Sequence, residues 1–286
     1  MKSNAKAAIR GGKYWMAFLV SAVIMIVPSL IEWITGYGEV NDKWLSGLEN
    51  GVPEVAPGVF MGYNLGFLLL NIFILFPLIV GVYGFFVRNR FDAGQFSDVF
   101  LGFRNGYGNV VLTSFVTNLF IGLWTLLLII PGIYKALQYI MVPFLLSDNP
   151  RLSGRRVRQI SRLMTDGEKG AILVLSLSFI GWFLIPIAVS IVLEMASAPI
   201  FLTNIVVTLG LALIMPYYYA TLAELYIFLR DRAIQTGRCS PRSWACNSGL
   251  PGKRYAPYLT QVSAADMYQK TKGKPHCGFP LFASVR

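Results

Sequence analysis

Long apolar stretches separated by short polar connectors occupy the first 230 residues, and their period is neither that of a half-buried strand nor that of a surface helix. Tyr14–Ile31 carries no charged side chain, and a second stretch runs from Val55 to Val87. About 20 such residues cross roughly 30 Å of hydrocarbon as a helix. The stretch from Val110 to Leu146 is too long for one crossing, and Pro131-Gly132 divides it, because proline lacks a backbone donor and glycine permits a turn. The pattern predicts an all-α membrane protein with six transmembrane helices, near 14–34, 59–87, 110–130, 133–147, 171–193 and 200–229. One hairpin is split at Pro131-Gly132, and its second member is short enough to be partly re-entrant.

Charge orients this array. Lys2, Lys6, Arg10 and Lys13 recur at near-helical spacing before Trp15, so residues 1–13 read as a basic cytoplasmic segment. The apolar stretch that follows exceeds a signal-peptide core and lacks a small-x-small cleavage site, which makes it an anchor. The connector 35–58 holds Glu39, Asp42, Glu49 and Glu54 against Lys43, and belongs outside, with Trp33 and Trp44 in the outer headgroup belt. Arg88, Arg90 and Arg104 mark one inner connector, and Arg151, Arg155, Arg156, Arg158, Arg162 and Lys169 mark another. An even number of crossings must lie between them, which supports the hairpin and makes Lys135 an outer-interface anchor. Six crossings leave both termini cytoplasmic.

Composition agrees: 55% of residues are apolar and 14% charged, with a mean hydropathy of +0.56, outside the ordinary soluble range. The net charge of +11 is concentrated late, since residues 1–236 hold 17 Lys/Arg against 13 Asp/Glu and residues 237–286 hold 8 against 1. In a membrane protein this bias signals topology and affinity for anionic lipid headgroups before nucleic acid, and no nucleic-acid partner is expected. The organisation expected is a basic N-terminal segment (1–13), a six-helix membrane domain (14–232) and a disordered basic tail (233–286) rich in Pro, Gly, Ser and Lys. All three cysteines, Cys239, Cys246 and Cys277, and the sole histidine, His276, fall in that tail. Their spacing does not match a zinc knuckle, so no metal and no cofactor is expected.

Absence narrows the chemistry further. Without His or Cys in residues 1–236, a Ser-His pair, a thiolate nucleophile and His-held zinc or haem are excluded from the bilayer. Glu32 and Glu194 lie near the expected outer helix ends, which leaves Glu224 as the carboxylate placed within a helix. Asn64, Asn71 and Asn118 could line a polar intramembrane site with it, using carbonyls freed where Pro77, Pro186 and Pro216 break helices. The competing assignment makes Glu224 an interfacial residue paired with a basic anchor. Gly102–Gly108 lacks the Lys-Ser/Thr and strand context of a nucleotide loop and reads as a connector. In the second basic connector, Arg155, Arg158 and Arg162 share one helical face and Val157, Ile160 and Met164 another, with Ser153 at the N-cap. A short amphipathic cytoplasmic helix on the inner leaflet follows, its arginines contacting lipid headgroups or fixing topology alone.

Several segments carry a family likeness: Phe96-Ser97-Asp98-Val99-Phe100-Leu101-Gly102-Phe103, the run from Leu126 to Leu137, Ser147-Asp148-Asn149-Pro150, Ser161-Arg162-Leu163-Met164, Leu177 to Trp182, and Pro216-Tyr217. Over residues 1–232 the chain resembles the bacterial integral-membrane family known as domain of unknown function 975, common in Gram-positive bacteria. The resemblance implies a six-helix plasma-membrane protein and supplies no activity; Ala223-Glu224-Leu225-Tyr226 departs from the family's acidic aromatic ending. The function expected is a non-enzymatic membrane module for envelope upkeep or partner binding. The alternatives are a small permease using Glu224 and the broken helices, and a lipid-acting enzyme, for which no acid/base pair can be assembled.

Overall fold

The computed structural model describes residues 2–52, 54–104 and 106–237, and among these all regular structure is helical. The order is α1 (Lys2–Ala8), α2 (Lys13–Thr35), α3 (Tyr37–Glu49) and α4 (Pro57–Leu70), then a π-helical turn (Asn71–Leu75) leading into α5 (Phe76–Asn89). A 3₁₀ segment (Phe96–Phe103) precedes α6 (Tyr107–Leu127), α7 (Ile129–Tyr139), α8 (Val142–Asp148) and α9 (Gly154–Thr165). Two long helices, α10 (Lys169–Met195) and α11 (Ile200–Gln235), complete the array. Six helical stretches are long and apolar enough to cross a membrane: 13–35, 57–89, 107–127, 129–148, 169–195 and 205–235. Most of their surface faces outward, as in Val174 (67% exposed) and Met195 (82% exposed), which is what a lipid solvent permits and water does not.

α10 and α11 pack along a narrow seam. The buried residues Ile172, Phe179 and Pro186 recur every seven positions on α10, the spacing that keeps one stripe facing a neighbouring helix. The Pro186 ring fills a notch at Gly210, where an added Cβ would stand 2.6 Å from the ring. Large buried rings meet where α5, α8 and α11 come together. Tyr83 sits edge-on to Phe144 at 4.5 Å, and Phe144 stacks on Tyr226 at 4.9 Å. Phe85, Phe86, Phe144 and Tyr226 are almost wholly buried, and each such ring pair adds about 0.5–1.5 kcal/mol beyond area burial.

The 3₁₀ segment sets the topology. It leaves α5 after Asn89 and returns along it, with Gly94 against Asn89, Val99 against Gly81 and Gly102 against Pro77. Pro77 lies twelve residues before Asn89, so the chain climbs back about 18 Å at 1.5 Å per residue. The contact is backbone on backbone: a Cβ at Gly81 would stand 1.8 Å from the Val99 carbonyl oxygen, and one at Gly102 would stand 2.1 Å from that of Pro77. Pro77 cannot donate to the Phe73 carbonyl one turn earlier, and the Tyr107 hydroxyl donates to it instead at 2.9 Å.

α6 therefore starts part-way along α5 and runs toward its arginine-bearing end. The chain leaves the helix at Leu128, whose backbone is extended, and α7 returns beside α6 so closely that a Cβ at Gly132 would fall 2.6 Å from Thr125 Cα. Pro131 is inside the first turn of α7, where a missing N–H loses no hydrogen bond. The bend expected at Pro131-Gly132 thus lies three residues earlier, at Leu128. Its apex is also at the other end of the molecule from that expected, beside the start of α10, because Lys169 Nζ lies 4.6 Å from the Tyr134 ring. Lys135 packs on Trp124 at that same end and is not an anchor at the acidic end. Charge bias counts crossings between connectors; it cannot register a connector that climbs back along its own helix.

Two further corrections concern connectors. The 35–58 region, read only as an acidic connector, contains α3, entered through Gly36 at φ 65° and held by stacking of Tyr37 on Phe67 and of Trp44 on Phe60. α9 forms where an amphipathic helix was expected, but its apolar side is core: Val157 and Ile160 are wholly buried, Met164 nearly so, and Ser161 donates to the Gln138 carbonyl at 2.8 Å. That side cannot also lie in a leaflet. Ser153 occupies the N-cap without a side-chain bond to the helix. The N-terminal segment is likewise packed, with Ala5 and Ile9 in the core and Lys2 and Lys6 over the rings of Phe179 and Tyr217. α11 continues to Gln235, and residues 238–286, with Cys239, Cys246, His276 and Cys277, lie outside the described residues.

Candidate functional site

Three carboxylates converge where α5 and α11 approach the basic connectors, and each meets its own partner. Asp98, 8% exposed, is delivered by the 3₁₀ segment to Arg88 on the last turn of α5. It also accepts from the Gln95 backbone N–H at 3.0 Å, closing a capping box. Glu224, also 8% exposed, is paired with Arg90, which follows α5 directly. Asp148, the last residue of α8, accepts a 2.5 Å hydrogen bond from the buried Tyr226 hydroxyl, and the Arg230 guanidinium stands 6.0 Å from the Tyr226 ring. Farther out, Arg232 pairs with Glu168 and Lys13 with Asp92.

These pairs are a consequence of burial. A carboxylate removed from water is costly unless a counter-charge or donor replaces its hydration; α11 supplies two members of these pairs, α5, α8 and the 3₁₀ segment one each, and Arg90 just after α5 the sixth. The arrangement locks four elements together and leaves the cluster close to neutral. Acid/base work requires a carboxylate held where a substrate can reach it; here Glu224 and Asp98 are held by guanidinium groups and Asp148 by Tyr226.

Glu224 does not gather the expected asparagines. Asn64 accepts from the Tyr37 hydroxyl at 2.8 Å and donates to the Phe60 carbonyl at 2.9 Å. Asn71 donates to the Phe67 carbonyl at 2.6 Å and Asn118 to that of Ser114 at 2.9 Å. Each amide thus bonds one turn back on its own helix, and α4, the π-turn and α6 do not pack extensively on α11. The turn opened by Pro77 is occupied, since Tyr107 serves the Phe73 carbonyl, and near Pro216 Tyr14 donates to the Leu213 carbonyl at 3.0 Å, one residue past the Ala212 carbonyl that this proline leaves without an N–H. Two concavities are open apolar grooves. One, of about 290 Å³, lies between α10 and α11 beside Lys2 and Glu168; the other, of about 580 Å³, runs along Gly62 and Gly66 of α4 near Thr35. Among the described residues no three His, Cys, Asp or Glu come together as a metal site.

The arginines of α9 present a different surface. Arg155 and Arg162 are exposed, and Arg158 is half-buried with its guanidinium 5.7 Å from the Phe120 ring. Arg151 and Arg104 are exposed too. They are neighbours in space because Gly106 packs on the Pro150 carbonyl and Asn109 donates to the Pro150 and Leu152 carbonyls, both at 2.8 Å. Between residues 99 and 165 the sole acid is Asp148. Arg104, Arg151, Arg155, Arg158 and Arg162 make no ion pair among the described residues.

Sequence reasoning identified Glu224 and the α9 arginines but not Asp98, Asp148 or the roles of Arg88 and Arg90. A signal was present: Asp98 stands alone in an otherwise apolar segment, and such an acid needs a basic partner nearby. Compared with known proteins, residues 48–233 match the family described as Protein of unknown function (DUF975), and the match spans the whole carboxylate cluster and α9. No curated protein and no solved structure matches the chain. With well over half of its length covered by that match, the chain belongs to the DUF975 family of proteins of unknown function.

Proposed function

We propose that this multi-pass membrane protein is a non-catalytic module of the bacterial plasma membrane. Its arginine-bearing end is cytoplasmic, and Arg155, Arg158 and Arg162 contact anionic lipid headgroups. The observation that carries the reading is a contrast: the buried carboxylates are matched within the fold, whereas Arg155 and Arg162 are exposed, Arg158 lies over the Phe120 ring, and none of these three has a carboxylate partner among the described residues. A basic residue near an anionic surface contributes about 1 kcal/mol, so three of them give a preference for anionic lipid without any enclosed pocket. The orientation rests on the excess of Arg and Lys at this end against Glu39, Asp42, Glu49 and Glu54 at the other. The apolar grooves and the tyrosine-capped Phe73 carbonyl support a packed module over a permease.

The test uses full-length protein in phosphatidylcholine vesicles with trace spin-labelled phosphatidylglycerol or phosphatidylcholine. The wild type should immobilise the anionic probe severalfold more than the zwitterionic one, and the Arg155→Gln, Arg158→Gln, Arg162→Gln triple variant should lose most of that selectivity. Equal selectivity in the two proteins would overturn the headgroup assignment.

A further inference from the structure

The end of the molecule opposite the arginines carries a surface of another kind. α3 and α4 lie side by side and antiparallel, since Tyr37 stacks on Phe67 and Trp44 on Phe60, and the Tyr37 hydroxyl adds a 2.8 Å bond to Asn64. α4 continues through the π-turn into α5, so α3 points along the spanning direction instead of lying flat in a leaflet. Glu39, Asp42, Lys43 and Glu49 are exposed along it, and charges at that density do not sit in hydrocarbon. The pair therefore stands outside the acyl region, although α4 has no buried residue.

One side of this pair is apolar. With successive residues about 100° apart around each helix, Leu45 and Leu48 of α3 face the same way as Met61 and Leu65 of α4, and they are respectively 51%, 55%, 69% and 57% exposed. The register set by the stacked rings aligns Leu65 with Glu39 and Leu48 with Ala56. The strip is thus about 14 Å long at 1.5 Å per residue, the length of two to three helical turns. Asp42 and Glu49 border it on the side away from α4, and neither makes an ion pair among the described residues. Lys43 turns to the other side and pairs with Glu39. A second copy docked here would bring these acids face to face, and an anionic leaflet would repel them. An apolar strip as long as a short helix, with carboxylates along one edge, fits a helix of the inverse pattern.

We infer that the α3–α4 face docks a cationic amphipathic helix of a partner outside the bilayer, its apolar residues on Leu45, Leu48, Met61 and Leu65 and its basic residues on Asp42 and Glu49. The inference concerns the end opposite α9 and stands independently of the headgroup reading.

The test uses full-length protein in nanodiscs of zwitterionic phosphatidylcholine and a fluorescent helical peptide of Leu and Lys with its leucines on one face. Binding is read by fluorescence anisotropy against empty discs. A peptide with Glu in place of Lys and one with the same composition in scrambled order are the controls. Saturable binding of the Leu/Lys peptide to loaded discs is expected, weakened severalfold by Asp42→Asn with Glu49→Gln and lost with Leu45→Ser and Leu48→Ser. All four side chains are exposed, so these changes leave the ring stacks of α3 in place, and an unaltered inactivation half-life in detergent verifies it. Equal binding to empty and loaded discs, equal binding of a control peptide, or full affinity in either double variant would overturn the inference. Discs holding two copies that separate on Leu45→Ser with Leu48→Ser, and that bind no peptide, would overturn it too and assign the face to self-association.

Discussion

Substituting Gly81 by alanine tests the backbone contact on which the chain's path depends. The new methyl would stand 1.8 Å from the Val99 carbonyl oxygen, 2.4 Å from its carbon and 2.9 Å from the Asp98 carbonyl oxygen, where ordinary contact begins at 3.4 Å. The obstructing atoms are main chain, so no rotamer change relieves the clash, and the 3₁₀ segment must move outward by about 1.6 Å. Overpacking of this kind costs about 1–3 kcal/mol, and the shift also loosens the ion pair of Asp98 with Arg88, one residue away. Against this stands a helix-propensity gain of about 0.5–1 kcal/mol for Gly→Ala. The expected net change is about 1–2 kcal/mol destabilising. Gly62→Ala and Gly66→Ala are the controls, since a Cβ at either meets nothing within 4 Å, and they should be neutral or stabilising. Inactivation half-life in detergent at fixed temperature is the suitable readout, because membrane proteins commonly unfold irreversibly. If Gly81→Ala outlasts the wild type as the controls do, the close passage of the 3₁₀ segment along α5 is wrong.

Other substitutions probe the ion pairs and the tyrosine cap by the same stability measurement. Arg90→Ala leaves the buried Glu224 carboxylate without its counter-charge and should cost about 2–4 kcal/mol. Glu224→Gln leaves an arginine 40% exposed that can turn to water, and should cost at most about 1 kcal/mol; the reverse order would mean that the pair is not formed. Tyr107→Phe strips the Phe73 carbonyl of its donor and should cost about 1 kcal/mol. In a Pro77→Ala background, which restores an N–H one turn ahead of that carbonyl, the loss should shrink; an undiminished loss would place the hydroxyl elsewhere.

The helices that face lipid were legible because hydrocarbon imposes a composition: the helices starting at Lys13, Lys169 and Ile200 fall within a few residues of the apolar stretches that predicted them. α3 was hidden because its stabilising contacts are stacked rings donated by α4, a tertiary feature that period alone does not announce. The direction of the α6–α7 hairpin was hidden for a related reason. It depends on Gly81 and Gly102 allowing one backbone onto another, and a glycine in an apolar segment reads as ordinary until its neighbour is known. At the candidate site, a lone acid such as Glu224 was visible as an anomaly. Its partner Arg90 was not, because a basic residue after a membrane helix already had a sufficient explanation in topology.

The placement of the hairpin apex with the arginine end is most directly measured by thiol accessibility in intact bacterial cells. Single cysteines replace Ser46 on α3, Lys135 on α7 and Gln159 on α9, in protein with the three native thiols changed to Ser. An impermeant maleimide added outside should label position 46 in intact cells and positions 135 and 159 only after permeabilisation. Labelling of position 135 from outside together with position 46 would contradict the fold's central feature.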